Sequence, residues 1–419
     1  MKKQIIIVLA LFSIVAVHAQ EKEESKFGIK FSGFVKNDFF WDSRQTVAAR
    51  EGHFLLWPAP VNLDEYGNDI NKQASFNFLA IQSRLTAKIT GPDALGAKTS
   101  ALIEGDFFAQ ANANINLLRL RHAFVKLNWE NTEVMAGQYW NPLFVTGCFP
   151  GTVSFNTGTP LQSFARNPQI RVTFNAGGFS FLAAALGQRD YSSVGPAGAS
   201  SSYLRNSAVP EMQLQVHYGT SNEEGTNILA GAGAAYKTIV PRLSSTPVEG
   251  VTYSVDEKVS GFTAMAFTKL TTEPITAKVQ VRYGENISDL LAISGYAATE
   301  VVDTITGELA YAPLKSMTFW AEVHTNGNPQ VGIFGGLTSN NGIKETILAT
   351  EPVYGRATSI RRLYRIAPRI IYNIGKLRLA GEVEYTSAAY GDNYDEYYIL
   401  TDLTQASNLR VLIAVYYFF

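Results

Sequence analysis

The chain has 419 residues, 46% of them hydrophobic and 17% charged, with 35 basic against 36 acidic side chains. This is too apolar for a disordered chain, too sparsely charged for a typical cytosolic domain, and offers no basic excess for a nucleic-acid partner. Twenty Tyr, 25 Phe and 34 Gly favour strands and tight turns over helices, and the lone Cys148 leaves no internal disulfide.

The first nineteen residues read as a secretory signal. Lys2 and Lys3 precede an apolar run over 5–17, and Val17-His18-Ala19 offers small residues for cleavage after Ala19. No later stretch approaches 18 consecutive apolar residues. A short segment, 20–26, then leads into a strand-rich remainder, 27–419.

That remainder alternates with period 2. In "IQSRLTAKIT", Ile81, Ser83, Leu85, Ala87 and Ile89 fall opposite Gln82, Arg84, Thr86, Lys88 and Thr90. "EMQLQVHY", "PITAKVQVRYG" and "KLRLAGEVEY" repeat the pattern. Strands are expected at 27–42, 74–90, 96–110, 117–129, 132–140, 166–176, 178–188, 209–219, 225–238, 255–269, 274–284, 299–313, 315–324, 358–373, 376–388 and 407–419. Long connections follow the odd strands (43–73, 141–165, 189–208, 239–254, 285–298, 325–357, 389–406), with 111–116 a short exception. Tight turns follow the even ones. Sorting of connections by parity is a property of outer-membrane barrels, with short periplasmic turns and long external loops; a sandwich has no reason for it. The fold expected is therefore all-β: a transmembrane antiparallel barrel of about 16 strands in a bacterial outer membrane, apolar face to lipid and polar face to a wet lumen.

The chain ends "SNLRVLIAVYYFF". Leu409, Val411, Ile413, Val415, Tyr417 and Phe419 share one face suited to lipid, while Arg410 points to the lumen. A closing strand that ends on Phe419 resembles the signal read by the barrel-assembly machinery.

Chemistry-bearing motifs are few. No Gly-x-Ser-x-Gly, His-Glu-x-x-His or Cys-x-x-Cys occurs, so no catalytic residue, metal or cofactor is expected. Glu104 and Asp106 of "EGDFF" read as carboxylates alternating into a wet pore rather than as a metal pair. His122 and His217 read as lumen-facing residues, with a barrel hydrolase the competing possibility. "HFLLWPAP", with Phe54 and Trp57 in the connection 43–73, would suit a barrel whose loops bind a surface partner.

Arginine carries the remaining signal. On the predicted inward face of the last three and first two strands lie Lys30, Lys36, Arg84, Lys88, Arg361, Arg365, Arg369, Arg378 and Arg410, against Asp38, Asp42, Glu382 and Glu384. Arg361, Arg365 and Arg369 share parity, spaced about 13 Å apart at ~3.3 Å per residue. Arg119, Arg121 and Arg171 add to them from other strands. However, Arg119 and Arg121 share parity with Val125 and Leu127, which calls for a bulge or a protomer contact there. The uncharged connection 141–165, with Phe144, Phe149 and Phe155, is the candidate inward-folded constriction. One-signed lumen charge concentrates the opposite ion, so the expectation is passive, anion-preferring diffusion of small solutes.

Within 27–174, "QSRL", "EGDFF", "LRLRHA" and "AGQYW" follow in an order that resembles the DcaP-like porin family. The resemblance implies a trimeric sixteen-stranded channel admitting small anionic solutes, including dicarboxylates. Some members carry a long N-terminal coiled coil; here "QEKEESK" alone stands between the cleavage point and the first strand.

Overall fold

The computed structural model describes residues 27–222 and 225–419, so the signal sequence and segment 20–26 lie outside the described residues. The barrel strands are Gly28–Asp42 (β1), Ser75–Leu79 with Arg84–Thr90 (β2), Lys98–Asp106 (β3), Arg119–Asn128 (β4), Thr132–Trp140 (β5), Arg166–Ala176 (β6), Phe179–Leu186 (β7), Glu211–Ser221 (β8), Asn227–Ile239 (β9), Val259–Thr271 (β10), Ile275–Glu285 (β11), Lys315–Thr325 (β12), Gln330–Asn340 (β13), Ile360–Ile374 (β14), Leu377–Tyr394 (β15) and Leu400–Phe418 (β16). They form sixteen strands because β2 is interrupted at 80–83. Each pairs antiparallel with its neighbours in sequence. β1 returns to β16, from Phe34 opposite Phe418 to Asp42 opposite Arg410, so the sheet has no open edge.

Side-chain parity sets the two surfaces. Phe31, Leu85, Ile170, Leu214, Phe319, Ile366 and Ile413 are exposed on the outside. On the opposite parity, Lys36, Gln213, Thr318, Arg365 and Arg410 are buried on the inside. An apolar belt facing outward and polar residues facing inward is the arrangement a bilayer demands. The outward face of the closing strand is as the terminal alternation predicts: Leu409, Val411, Ile413, Tyr417 and Phe419 are all exposed.

Three expectations need correction. First, 299–313 is not a barrel strand. It is a hairpin of a separate three-stranded sheet (Ser294–Asp303, Glu308–Pro313, Tyr354–Arg356), and the barrel position belongs to β13, inside the connection read as 325–357. β13 hides because Gly332, Gly335 and Gly336 interrupt its alternation. A Cβ at Gly336 would lie 2.6 Å from the Phe319 carbonyl oxygen and 3.0 Å from a Leu161 methyl, so the wall must be thin where a loop packs against it. Second, Ile81 is not on the lipid face. The break at 80–83 adds one residue against β1, and Ile81 turns into the interior. Third, most of 389–406 continues β15 and β16, with only 395–399 between them.

Candidate permeation pathway

The lumen is occupied by two segments rather than lined only by the wall. The connection 141–165 crosses it and is fastened along its length. Gly151 N–H donates to Glu322 (2.7 Å), Val153 and Ser154 N–H to Glu382 (2.7 and 3.0 Å), and the Asn156 amide to Glu384 (2.8 Å). In return, Lys36 and Lys278 donate to the carbonyls of Val153 and Phe149 (3.0 Å each), and Arg282 donates to Ser163. Phe144 and Phe155 are buried and Phe149 is partly buried against the same apolar cluster.

The second segment is the connection after β1. Its hairpin, Thr46–Ala49 with Phe54–Pro58, also turns inward. Phe54 and Trp57 are 1% and 6% exposed, so "HFLLWPAP" presents no surface patch to a partner. Phe54 packs against Phe155 and Phe164 at centroid distances of 5.2 and 5.0 Å, and Phe108 stacks on Phe155 at 4.1 Å. Apolar loop residues thus bury against each other inside the barrel, and the interior is not the uniformly wet lumen that strand alternation alone suggests.

The cations of β14, β15, β16 and β1 serve this packing. Arg365 is fully buried, 3.3 Å from Glu384, and donates to the carbonyls of Thr159 and Leu56, one in each inward segment. Arg410 forks onto Asp42 (2.9 and 2.6 Å) and reaches the Gly52 carbonyl (2.7 Å). Arg369 pairs with Glu322, and Lys36 lies 2.9 Å from Asp38. Arg361 is half-buried with Nη1 unpartnered among the described residues. Lys30 faces Lys88 across the β1–β2 ladder; both are exposed at the short-turn end, and near that end Arg378 lies over the Phe418 ring (5.0 Å).

The opposite wall, β2 to β6, is different. Between Glu104 and Gly105 the β3–β4 ladder slips: Glu104 faces His122 and Gly105 faces Leu120, leaving Arg121 as an extra residue. This bulge resolves the parity conflict in 117–129. Arg119, Arg121 and His122 all turn inward, while Leu120 and Val125 face outward. Arg121 donates to Glu104 and Asp106 (2.8 Å each), Arg119 to Asp106 (2.8 Å), and Arg84 lies 3.6 Å from Glu104. Arg166, which strand alternation does not single out, continues the chain to Asp190 at 2.6 Å. Four arginines therefore share three carboxylates. Arg171 adds a fifth cation bonded only to Gln169 and the Trp140 carbonyl, its guanidinium 5.5 Å from the Tyr139 ring. Solvent reaches this wall: side-chain exposure is 21% at Arg84 and 13% at Glu104. The Trp140 ring lies within 5.7 and 5.2 Å of the Arg121 and Arg166 guanidinium carbons, within cation–π range of both. Next to it, Gly137 takes φ +137° opposite Phe124; a Cβ there would fall 2.2 Å from the Ala123 carbonyl oxygen.

Neither histidine sits in a hydrolytic arrangement. His122 Nε2 is 3.7 Å from Glu104, which already serves Arg84 and Arg121, and His217 meets the Gln215 side chain. Glu104 and Asp106 are likewise engaged by arginine rather than open to a metal.

A closed sixteen-strand barrel with an apolar belt and inward-folded loops defines a bacterial outer-membrane protein of the porin fold. The chain is similar to the outer-membrane channel DcaP of Acinetobacter baumannii, with a TM-score of 0.68 and 16% identity over 96% of this chain and 100% of that one. It is also similar to an anion-selective porin from Comamonas acidovorans (TM-score 0.52, 12% identity, 94% of this chain and 100% of that one). The trimer form of the outer-membrane protein OmpT of Vibrio cholerae matches at TM-score 0.54 and 10% identity, over 94% of this chain and 100% of that one. No family model and no curated protein matches the sequence. The fold thus bears out the porin resemblance read from the motifs of 27–174.

Proposed function

We propose that the protein is a passive channel that admits small hydrophilic solutes across the outer membrane and prefers anions, small carboxylates and dicarboxylates among them. The observation that carries this is the β2–β6 wall, where five arginines face three carboxylates and two of the five, Arg84 and Arg171, are partly exposed. The cations on β14 to β1 that touch the loops are matched by carboxylates, so their net contribution to the field is small. A row of fixed charge in which cations outnumber carboxylates raises the local concentration of counter-ions even though the chain as a whole is nearly neutral.

The test is a planar-bilayer recording across a KCl gradient. Discrete conductance steps with a reversal potential on the chloride side are expected. Arg84→Ala with Arg171→Ala moves the reversal potential toward zero; neither change strands a carboxylate, since Glu104 keeps Arg121. Steps with cation preference would remove the anion reading, and absence of steps from folded protein would remove the channel. Burial of Phe54 and Trp57 and the engagement of His122 weigh against a surface-binding or hydrolytic role.

The same reading includes a homotrimer seated in outer-membrane lipid and inserted by the barrel-assembly machinery through the Phe419 strand. β3, β4 and β5 are among the shortest strands, and beside them Leu117, Leu118, Leu120 and Val125 are exposed, with Trp129 partly exposed at the turn end. Elsewhere Tyr364, Tyr372, Tyr385 and Tyr417 mark the lipid boundary. A low, mainly aliphatic wall suits contact with a second copy. Sedimentation of the detergent complex at the mass of one chain would exclude it.

A further inference from the structure

At the long-loop end, residues of four connections, the start of β4 and Gln138 of β5 line an open cavity of ≈ 610 Å³, Arg50, Arg119, Arg189, Asp190, Tyr191 and Arg356 among them. Charge cancels at only two of these residues. Arg119 is paired with Asp106, and Asp190 accepts from Arg166 at 2.8 Å. The other three arginines form no ion pair among the described residues. Arg50 donates to the carbonyls of Phe108 and Ala109 (2.7 and 3.2 Å), Arg356 donates to the Ser288 carbonyl (2.7 Å), and Arg189 is exposed without a partner.

A carbonyl orients a guanidinium but does not neutralise it. Each of these side chains keeps N–H groups to spare, since arginine has five. Burial pushes the pKa of Arg50 and of Arg356 below the ordinary arginine value, although Asp190 and Asp106 pull the other way at Arg50 and Asp289 at Arg356. Burial pushes the Tyr191 phenol up to about 12, so it adds no negative charge. Arg50 is held at φ +57° at the tip of the inward hairpin, a left-handed conformation that a non-glycine residue rarely adopts.

We propose that this cavity is an external capture site for a solute carrying two or more oxyanion groups. Three unneutralised forks around one space match clustered phosphate or carboxylate oxygens, each able to accept two parallel N–H bonds. A single-charge ion such as chloride engages one fork at a time and gains little. The volume lies within the range of about 300–1,000 Å³ that holds organic ligands, so a polyanion on a carbon frame fits. This deepens the anion-preferring reading above and rests on it only for passage onward along the β2–β6 wall.

The test adds inorganic pyrophosphate, or citrate, to the loop side of single channels in symmetrical KCl. Concentration-dependent block from that side is expected, at least tenfold weaker from the turn side. Arg189→Ala with Arg356→Gln raises the blocking concentration at least tenfold while the chloride reversal potential stays where it was. Arg189 has no partner to orphan, and the shorter amide of Arg356→Gln keeps a donor for the Ser288 carbonyl. Stronger block by pyrophosphate identifies a phosphate ligand; stronger block by citrate identifies a carboxylate one. Calorimetric titration of the detergent-solubilised protein with the same two ions separates the proposals. A cation-selective channel that still binds pyrophosphate, and loses it in the double variant, overturns the anion pore but keeps the capture site. An anion-selective channel whose block and titration are unchanged in the variant, or equal from both sides, overturns the capture site.

Discussion

Arg365 and Arg84 carry the same charge into the same lumen and do different work. Arg365 is sealed between Glu384 and one carbonyl from each inward segment, so its charge is spent on holding the two loops to the wall. Removing one partner of a buried ion pair costs about 3–5 kcal/mol, because the remaining charge is left without a counterpart. Arg365→Ala is therefore expected to lower the temperature at which the barrel unfolds in a heat-dependent gel-mobility assay, while the chloride reversal potential barely moves. A variant with unchanged thermal stability and altered selectivity would assign Arg365 to the solute path instead. Arg84, partly exposed to the pore and 3.6 Å from an acid that has a second arginine, carries the opposite expectation.

At the scale of the strand, one inserted residue decides what β4 shows to the lumen. Because Arg121 is extra, Arg119 and His122 can both face inward although they are three positions apart. Deleting Arg121 would close the bulge and restore plain alternation from Val125 backward, with Leu120 still facing lipid and Arg119 still facing the lumen. Asp106 would lose Arg121 but keep Arg119, and Glu104 would keep Arg84, the same losses that Arg121→Ala causes. The expected result is a yield of folded, heat-modifiable protein close to that of Arg121→Ala, which keeps the bulge. A sharply lower yield from the deletion than from Arg121→Ala would mean that the wall requires the bulge itself and not only the Arg121 side chain. The conflict that betrays this bulge is legible in the sequence, since Arg119 and Arg121 fall in step with Val125 and Leu127. Strand parity is legible elsewhere for the same reason: lipid on one side punishes every exception. What escapes is whatever lipid does not select. β13 lost its alternation to glycines that make room for a loop. Phe54 and Trp57 read as exposed because nothing local says that a connection will fold into its own barrel. Arg50, Arg166, Arg189 and Arg356 lie at strand ends or in loops, where no periodicity marks them.

The whole molecule is a ring with two straps drawn across it. The segment 141–165 is held by side chains from β1, β11, β12 and β15, and β14 ties it to the hairpin at 46–58 through a single guanidinium. Amides of the strap are taken by wall carboxylates and carbonyls of the strap by wall cations, so it cannot shift along the pore without breaking several bonds together. The electrical signature of such an arrangement is silence. A tethered constriction does not flicker, so the open channel is expected to carry current with little excess noise at kilohertz bandwidth. Glu382→Ala, which releases the amides of Val153 and Ser154, is expected to bring that noise in before it changes the mean conductance. A noisy native channel would mean that the strap slides.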